Sequence, residues 1–245
     1  MSKTRIEWTD ETWNPVTGCT PISPGCAHCY ARRMAKRLAG RVGYPAAPHE
    51  FDVTLHPDKL SEPLTWRKPR RVFVCSMSDL FHKDVPLDFI WCVYDSVRTN
   101  PHHVFQILTK RPERALEFYR WLYGDSDVPK NVWFGVTAEN NAMWAKRRDA
   151  FLATPAAVHF VSIEPALECL YFSGRDISRL DWVICGGETG PNARPMDLDW
   201  ARALRDQCVA AGVPFFYKGA GTATLPKSDP EYMRLDGAEW KQFPQ

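Results

Sequence analysis

Short apolar runs recur along the chain, each followed by polar residues and then by a stretch with helical spacing. The runs occupy residues 71–77, 104–110, 132–139, 159–165, 181–188 and 214–218, and residues 6–9 are placed to open the series. Residues 31–38, 89–97, 114–122 and 200–211 instead set apolar side chains three and four apart, the period of a helix with one buried face. The last of these ends at Gly212 with Pro214 beyond it, and Asp197 or Asp199 is positioned to cap its start. Strands apolar on both faces and joined by helices imply an α/β fold with a buried parallel sheet. About seven such units predict a partial or closed (β/α) barrel of TIM type, with a doubly wound open sheet as the alternative. No fixed-period repeat or low-complexity stretch divides the chain, so residues 1–245 read as one barrel domain, irregular at 44–48 and in the tail 219–245.

Composition narrows the class. Hydrophobic residues make up 44% and charged residues 24%, ordinary globular values, and no apolar run reaches the length of a membrane span. The first ten residues carry charges but no apolar core, so no export leader is expected and a cytoplasmic location follows. A formal net charge of +2 leaves nucleic-acid contact to local clusters. Two clusters qualify, Arg32, Arg33, Lys36, Arg37 and Arg41 in one and Arg67, Lys68, Arg70 and Arg71 in the other. Both read as solvated faces, the first as the polar side of a helix. Ten tryptophans offer stacking surfaces for bases, although most aromatics in such a chain belong to the core.

Eight cysteines in an intracellular-looking chain call for ligation or burial rather than a disulfide framework. Cys92, Cys169, Cys185 and Cys208 stand singly in apolar or helical contexts and are assigned to the core. Cys75 ends the second strand, where a buried thiol or a hydrogen-atom donor is expected. Cys19, Cys26 and Cys29 differ, because they share one Gly/Pro-rich loop, residues 18–30, that runs straight into a helix. A Cys-x-x-Cys pair at a helix start binds one metal, and a third cysteine across the loop can fold back to join it. The helix dipole and nearby cations favour the thiolate. Three thiolates with no clear fourth ligand suit an iron–sulfur cluster that leaves one iron open. Zinc is the competing metal, with His49, His56 or His82 as a fourth ligand, and a Cys26/Cys29 redox pair is a third reading.

In parallel α/β folds, chemistry gathers at the C-terminal strand ends. The polar residues there are Ser76, Ser78 and Asp79; Thr109, Lys110 and Arg111; Thr137, Glu139 and Asn140; Ser162 and Glu164; Gly186, Gly187, Glu188 and Thr189; and Lys218. Loops are polar anyway, which accounts for any one group but less well for six in register. A zinc hydrolase on this scaffold would draw its general base from Glu139, Glu164 or Glu188.

These motifs carry a resemblance. The chain resembles the phage Gp37/Gp68-type protein family, of unassigned function, which looks like the radical S-adenosylmethionine enzymes. The resemblance runs nearly end to end, through residues 7–19, 26–31, 77–81, 108–112, 131–136, 164–165, 182–188 and 193–196. The element Cys26-Ala27-His28-Cys29-Tyr30 is also similar to the cluster loop of spore photoproduct lyase, a radical enzyme that repairs DNA. Radical S-adenosylmethionine enzymes generally space the ligands Cys-x3-Cys-x2-Cys on a six-stranded partial barrel. The spacing here is Cys-x6-Cys-x2-Cys, an extension that a flexible loop absorbs at little entropic cost.

The resemblance implies that Cys19, Cys26 and Cys29 bind three irons of a 4Fe–4S cluster. The fourth iron would hold the amino and carboxylate groups of S-adenosyl-L-methionine, whose cleavage yields a 5′-deoxyadenosyl radical. It implies cofactor contacts at Tyr30, Glu164, Gly186, Gly187 and Glu188, with Ser76, Ser78 and Asp79 at the methionine end and Glu139 and Asn140 near the ribose. Gly186 to Glu188 follow a late strand, so a substrate contact is their alternative role. Lys110, Arg111, Arg194 and Lys218 would hold an anionic substrate, a DNA, RNA or nucleotide. An electron donor such as a flavodoxin or ferredoxin would be a partner. The alternative class is a zinc-stabilised, non-enzymatic nucleic-acid-binding or phage accessory protein.

Overall fold

The computed structural model describes residues 4, 6–124 and 128–245. Its elements are β1 (Glu11–Trp13), β2 (Val16–Thr17), α1 (Tyr30–Leu38), β3 (Thr54–Leu55), β4 (Arg71–Val74), α2 (Leu87–Arg98), β5 (Val104–Thr109) and α3 (Pro112–Tyr123). They continue with β6 (Val132–Thr137), α4 (Asn141–Ala153), β7 (Val158–Ile163), α5 (Gly174–Ile177), β8 (Trp182–Gly186), α6 (Leu198–Ala211) and β9 (Phe215–Gly219). The chain divides into two compact units, one of residues 1–22, 29–134 and 153–157, the other of residues 23–28, 135–152 and 158–245.

In the first unit β1 pairs in parallel with β4, Glu11 opposite Val72, and β4 with β5, Arg71 opposite Val104. A separate ribbon pairs β2 with β3 antiparallel. Val72, Val74, Phe105 and Ile107 are fully buried, as expected of strands covered on both faces. Helices α2 and α3 present Ile90, Val93, Tyr94 and Val97, and Ala115, Phe118 and Tyr119, to the core. The hydroxyls of Tyr94 and Tyr119 satisfy one another at 2.8 Å.

The opening strand lies later than expected. Residues 6–9 form a turn, because the Thr9 hydroxyl and the Asp10 carboxylate take the Arg71 carbonyl and amide, at 2.9 and 2.8 Å. Regular pairing therefore begins at Glu11. The run 71–77 is likewise cut short, since β4 stops at Val74 and Cys75 adopts a φ of +59° that no strand accommodates.

The second unit pairs β7 with β8 and β8 with β9 in parallel, with a bulge at Cys185 and Gly186. Helix α6 fulfils its sequence signals: the Asp197 carboxylate accepts from the Asp199 amide at 2.9 Å, and Gly212 closes the helix at φ +69°. Helix α4 was not legible, because its buried set, Trp144, Arg147, Phe151 and Leu152, includes a charge. After β9 the tail has no helix or strand, as expected, and is fastened by Trp240 and Gln242 carbonyls that accept from the Tyr217 amide at 2.7 Å and Trp182 Nε1 at 2.9 Å.

The strands run in the order β1-β4-β5-β6-β7-β8-β9, with β6 shared between the units, so the fold is a mostly parallel α/β. A doubly wound sheet requires the order to reverse at a switch point, and this order never reverses, which excludes the alternative. Cys185 and Cys208 lie in the core, but Cys92 and Cys169 are only half-buried. Cys92 falls off the α2 face formed by Ile90, Val93, Tyr94 and Val97, and Cys169 sits outside any helix or strand. Among the described residues no helix is long and apolar enough to cross a membrane.

Candidate functional site

The cysteine loop begins at a glycine that only glycine can be. Gly18 has φ +82°, and a Cβ there would stand 2.1 Å from the Asp52 carbonyl oxygen. The Gly18 amide donates to the Met77 carbonyl and the Cys19 amide to the Phe51 carbonyl, each at 3.1 Å, which fixes Cys19 beside the β2–β3 ribbon. Cys26 closes a turn of 3-10 helix over Pro24–Cys26, its sulfur 3.7 Å from the Ser23 hydroxyl. Cys29 is the residue before α1, and its carbonyl accepts from the Arg33 amide at 3.3 Å.

All three loop cysteines are unbridged and half-exposed. Burial pushes the thiols of Cys75 and Cys208 up to about 12, leaving them inert as anionic ligands, and raises Cys185 as well. Three soft donors on one short loop, the first of them 3.6 Å from the Arg111 guanidinium, suit an iron–sulfur cluster by donor chemistry. Among the described residues, no group of three or more His, Cys, Asp or Glu side chains stands close enough together to hold a metal ion.

In the first unit, polar side chains converge on Arg111. Its guanidinium lies 2.8 Å from the Asp79 carboxylate, 3.6 Å from the Cys19 sulfur and 3.0 Å from the Thr20 carbonyl oxygen. Burial opposes its charge, but Asp79 and Cys19 outweigh burial and raise its pKa. Asp79 also accepts from the Thr109 hydroxyl, the Lys110 amide and the Phe81 amide at 2.7, 3.0 and 3.0 Å. Its lone pairs are thus committed to the turn from β5 into α3 and to Arg111. Ser76 donates to Asn14 Oδ1 at 3.2 Å, Ser78 donates to the Val16 carbonyl at 2.8 Å, and the Tyr30 hydroxyl bonds the Ser76 carbonyl.

The histidines considered as fourth ligands are engaged elsewhere. His82 is fully buried, with Nε2 2.7 Å from the Thr20 hydroxyl and Nδ1 accepting from the Asp84 amide at 3.2 Å. Burial lowers its pKa, and the Arg111 charge adds to the effect. His56 meets the Thr17 hydroxyl at 2.8 Å and His49 the Asp52 carboxylate at 2.7 Å.

The second unit builds a different group around Glu188. Arg194 grips its carboxylate at 2.7 and 3.0 Å and adds its own amide at 2.8 Å, while His28 Nδ1 lies 2.9 Å away. Burial would raise the Glu188 pKa, yet the bonds from Arg194 and His28 hold it down at about 2. Arg194 also donates to the Pro24 carbonyl at 3.1 Å, tying the 188–194 turn to residues 23–28. Gly187 is required by the chain itself, since a Cβ there would meet the Ala220 carbonyl oxygen at 2.2 Å. Glu164, at the end of β7, pairs with Lys218 of β9 at 2.6 Å and accepts from Ser162 at 3.2 Å, beside Gly186.

Glu139 is wholly buried, 2.8 Å from Arg147, and accepts from the Gly25 amide at 3.0 Å. Burial works against its charge, but Ser23, Arg147 and Gly25 keep its pKa below the usual value. Asn140 accepts from the Met143 amide at 2.8 Å and so caps α4.

Several participants escaped the sequence reading. His28, between Cys26 and Cys29, meets the Glu188 carboxylate at 2.9 Å, a pairing no sequence motif announces. Asn14 and Thr20 lie within stretches that drew notice, but nothing marked them individually. Arg147 stands in the charged run Lys146-Arg147-Arg148-Asp149, where no signal singles out the residue that becomes buried.

The chain belongs to the family described as "Protein of unknown function (DUF5131)", whose model matches residues 3–244. No curated protein and no solved structure matches it.

Proposed function

We propose that this member of the family is a radical S-adenosylmethionine enzyme acting on a nucleic acid or nucleotide. In this reading Cys19, Cys26 and Cys29 hold a 4Fe–4S cluster, and the mostly parallel fold is a partial barrel of the radical-enzyme type. The observation that carries the reading is the contrast among the cysteines. Those of one short loop are half-exposed, and the Arg111 guanidinium lies 3.6 Å from the Cys19 sulfur. The deep thiols of Cys75, Cys185 and Cys208 are instead held protonated by burial. A guanidinium against a sulfur favours the thiolate, the form that binds iron. Metal binding by thiolates commonly completes the folding of its loop, so the Gly/Pro segment is read as closing its three sulfurs around the cluster.

When bound, the cluster supplies the electron that cleaves the S-adenosyl-L-methionine sulfonium. The chain's own part is binding, orientation and exclusion of water. Asp79 holds Arg111 in place, and Arg111 in turn ties the Cys19–Thr20 backbone. Glu188, kept ionised by Arg194, orients His28 within the loop. Of the anticipated contacts, Lys110, Lys218 and Glu164 remain assigned to substrate and cofactor, and Tyr30, Gly186 and Gly187 to the cofactor surface. Asn140 and Ser78 serve the fold through their bonds to Met143 and Val16. Cys75 at 3% exposure is kept as a hydrogen-atom donor only if substrate reaches the barrel mouth. A cytoplasmic setting with a flavodoxin or ferredoxin as electron donor belongs to the same proposal.

The test is anaerobic turnover. Reduced protein given S-adenosyl-L-methionine should release 5′-deoxyadenosine, and the Cys29→Ser variant should not. Equal release by both, or none by the native chain, overturns the reading.

A further inference from the structure

The first unit carries a cleft of about 520 Å³ whose lining includes Cys19, Thr20, Arg32, Lys36, Glu50 and Phe51. Arg32 and Lys36 are one turn apart on α1, so both side chains rise from one face of the helix. The Arg32 guanidinium lies over the Phe51 ring, 5.2 Å from its centroid, which orients it as a fixed planar fork. No described carboxylate pairs with either cation, although the chain forms ion pairs freely elsewhere. Helix α1 carries Arg32, Arg33, Lys36 and Arg37, and no acidic residue stands in its first turn. Arg32 and Arg33 stand in the first turn, at the positive end of the helix dipole, and the like charges of Arg32 and Lys36 at i and i+4 repel one another. A bound anion relieves both.

The acidic side chains of the lining are not equivalent. Asp52 pairs with His49 and Asp84 with Lys83, whereas the Glu50 Oε2 atom is buried with no hydrogen-bond partner. A buried carboxylate oxygen without a donor is costly, and a ligand N–H or O–H removes that cost. The unpaired set is therefore two cations and one acceptor, the complement of a molecule with an anionic end and a donor end.

We infer that this cleft binds a nucleotide phosphate. Arg32 and Lys36 take the phosphate oxygens, and Glu50 accepts from an amino or hydroxyl group of the same ligand. The inference rests on the reading of the preceding subsection and names its substrate class, because Cys19 of the candidate cluster loop lines the same cleft. Arg37 on the same helix and Arg41 beyond its end are exposed and do not line the cleft.

The full-length, anaerobically prepared chain is titrated with adenosine monophosphate by equilibrium dialysis and with a fluorescein-labelled single-stranded hexadeoxynucleotide by anisotropy. At least one should bind, and the pair separates a free mononucleotide from a nucleotide within a strand. Arg32→Ala with Lys36→Ala should weaken the binding about tenfold or more and reduce the salt slope by about 1, whereas Arg37→Ala with Arg41→Ala should change affinity less than about twofold. Glu50→Gln should weaken it severalfold. Binding of neither probe, or equal losses from the two double variants, overturns the inference. Iron is assayed on the same samples. Cleft-dependent binding by a native chain without iron keeps the phosphate site and sinks the cluster reading. Iron-replete protein without binding does the reverse.

Discussion

Glu188 and Arg194 meet through two parallel side-chain bonds, Nη2 to Oε1 at 2.7 Å and Nε to Oε2 at 3.0 Å. The planar fork matches the carboxylate, and the Arg194 amide joins the same oxygen that faces His28. The Gly-Gly-Glu element thus fills its carboxylate from within the chain. Its second glycine admits the backbone at Ala220, whose carbonyl oxygen a Cβ would meet at 2.2 Å.

Arg194→Ala should cost about 1–2 kcal/mol at neutral pH, the loss of a charged hydrogen-bond pair discounted for the partial exposure of the arginine. The Glu188 pKa lies at about 2 in the fold against an ordinary 4.5, so the folded state holds its carboxylate ionised. That stabilisation is complete above pH 4.5 and fades as pH falls towards 2. Urea unfolding of native and variant protein should show a gap that narrows across this window. A gap independent of pH would contradict the assignment.

Arg147→Ala should be far more damaging. It leaves Glu139, with no solvent exposure, as a buried charge whose partner stood at 2.8 Å, a loss of about 3–5 kcal/mol. Arg147→Met combined with Glu139→Gln should recover a large part of it, because the remaining Gly25 amide still finds an acceptor. Denaturation midpoints of the single and double variants check this, and a single-variant loss below about 1 kcal/mol would count against it.

Much of the fold was legible in the sequence. Helix α6 announced itself through Asp197 and Gly212, and β5 and β7 through runs of residues apolar on both faces. What misled was local competition for the backbone. Thr9 and Asp10 capture Arg71 and delay β1, while the left-handed Cys75 ends β4 early. Helix α4 hid because a buried arginine breaks the apolar stripe. The strand ends were located correctly as clusters of polar groups, but sequence cannot say which partner each will choose. Asp79 pairs with Arg111 and His28 meets Glu188, choices that no motif in the sequence announces.

Two glycines separate strain from crowding. Gly18→Ala combines φ +82° with a Cβ 2.1 Å from the Asp52 carbonyl, whereas Gly40→Ala has φ +69° and nothing within 4 Å. The Gly40 variant should lose about 1–2 kcal/mol from left-handed strain alone, and the Gly18 variant clearly more, since backbone must move. Thermal unfolding of the two proteins ranks them, and equal losses would show that the ribbon yields without cost.

The most direct test of the central claim is the iron and acid-labile sulfide content of protein purified without oxygen. The account predicts about four irons and a similar amount of sulfide per chain, lost when Cys19, Cys26 and Cys29 are changed to serine and kept when the half-exposed Cys92 and Cys169 are changed. A colourless native chain without sulfide, one carrying a single zinc, or a triple-serine variant that retains its iron would contradict it.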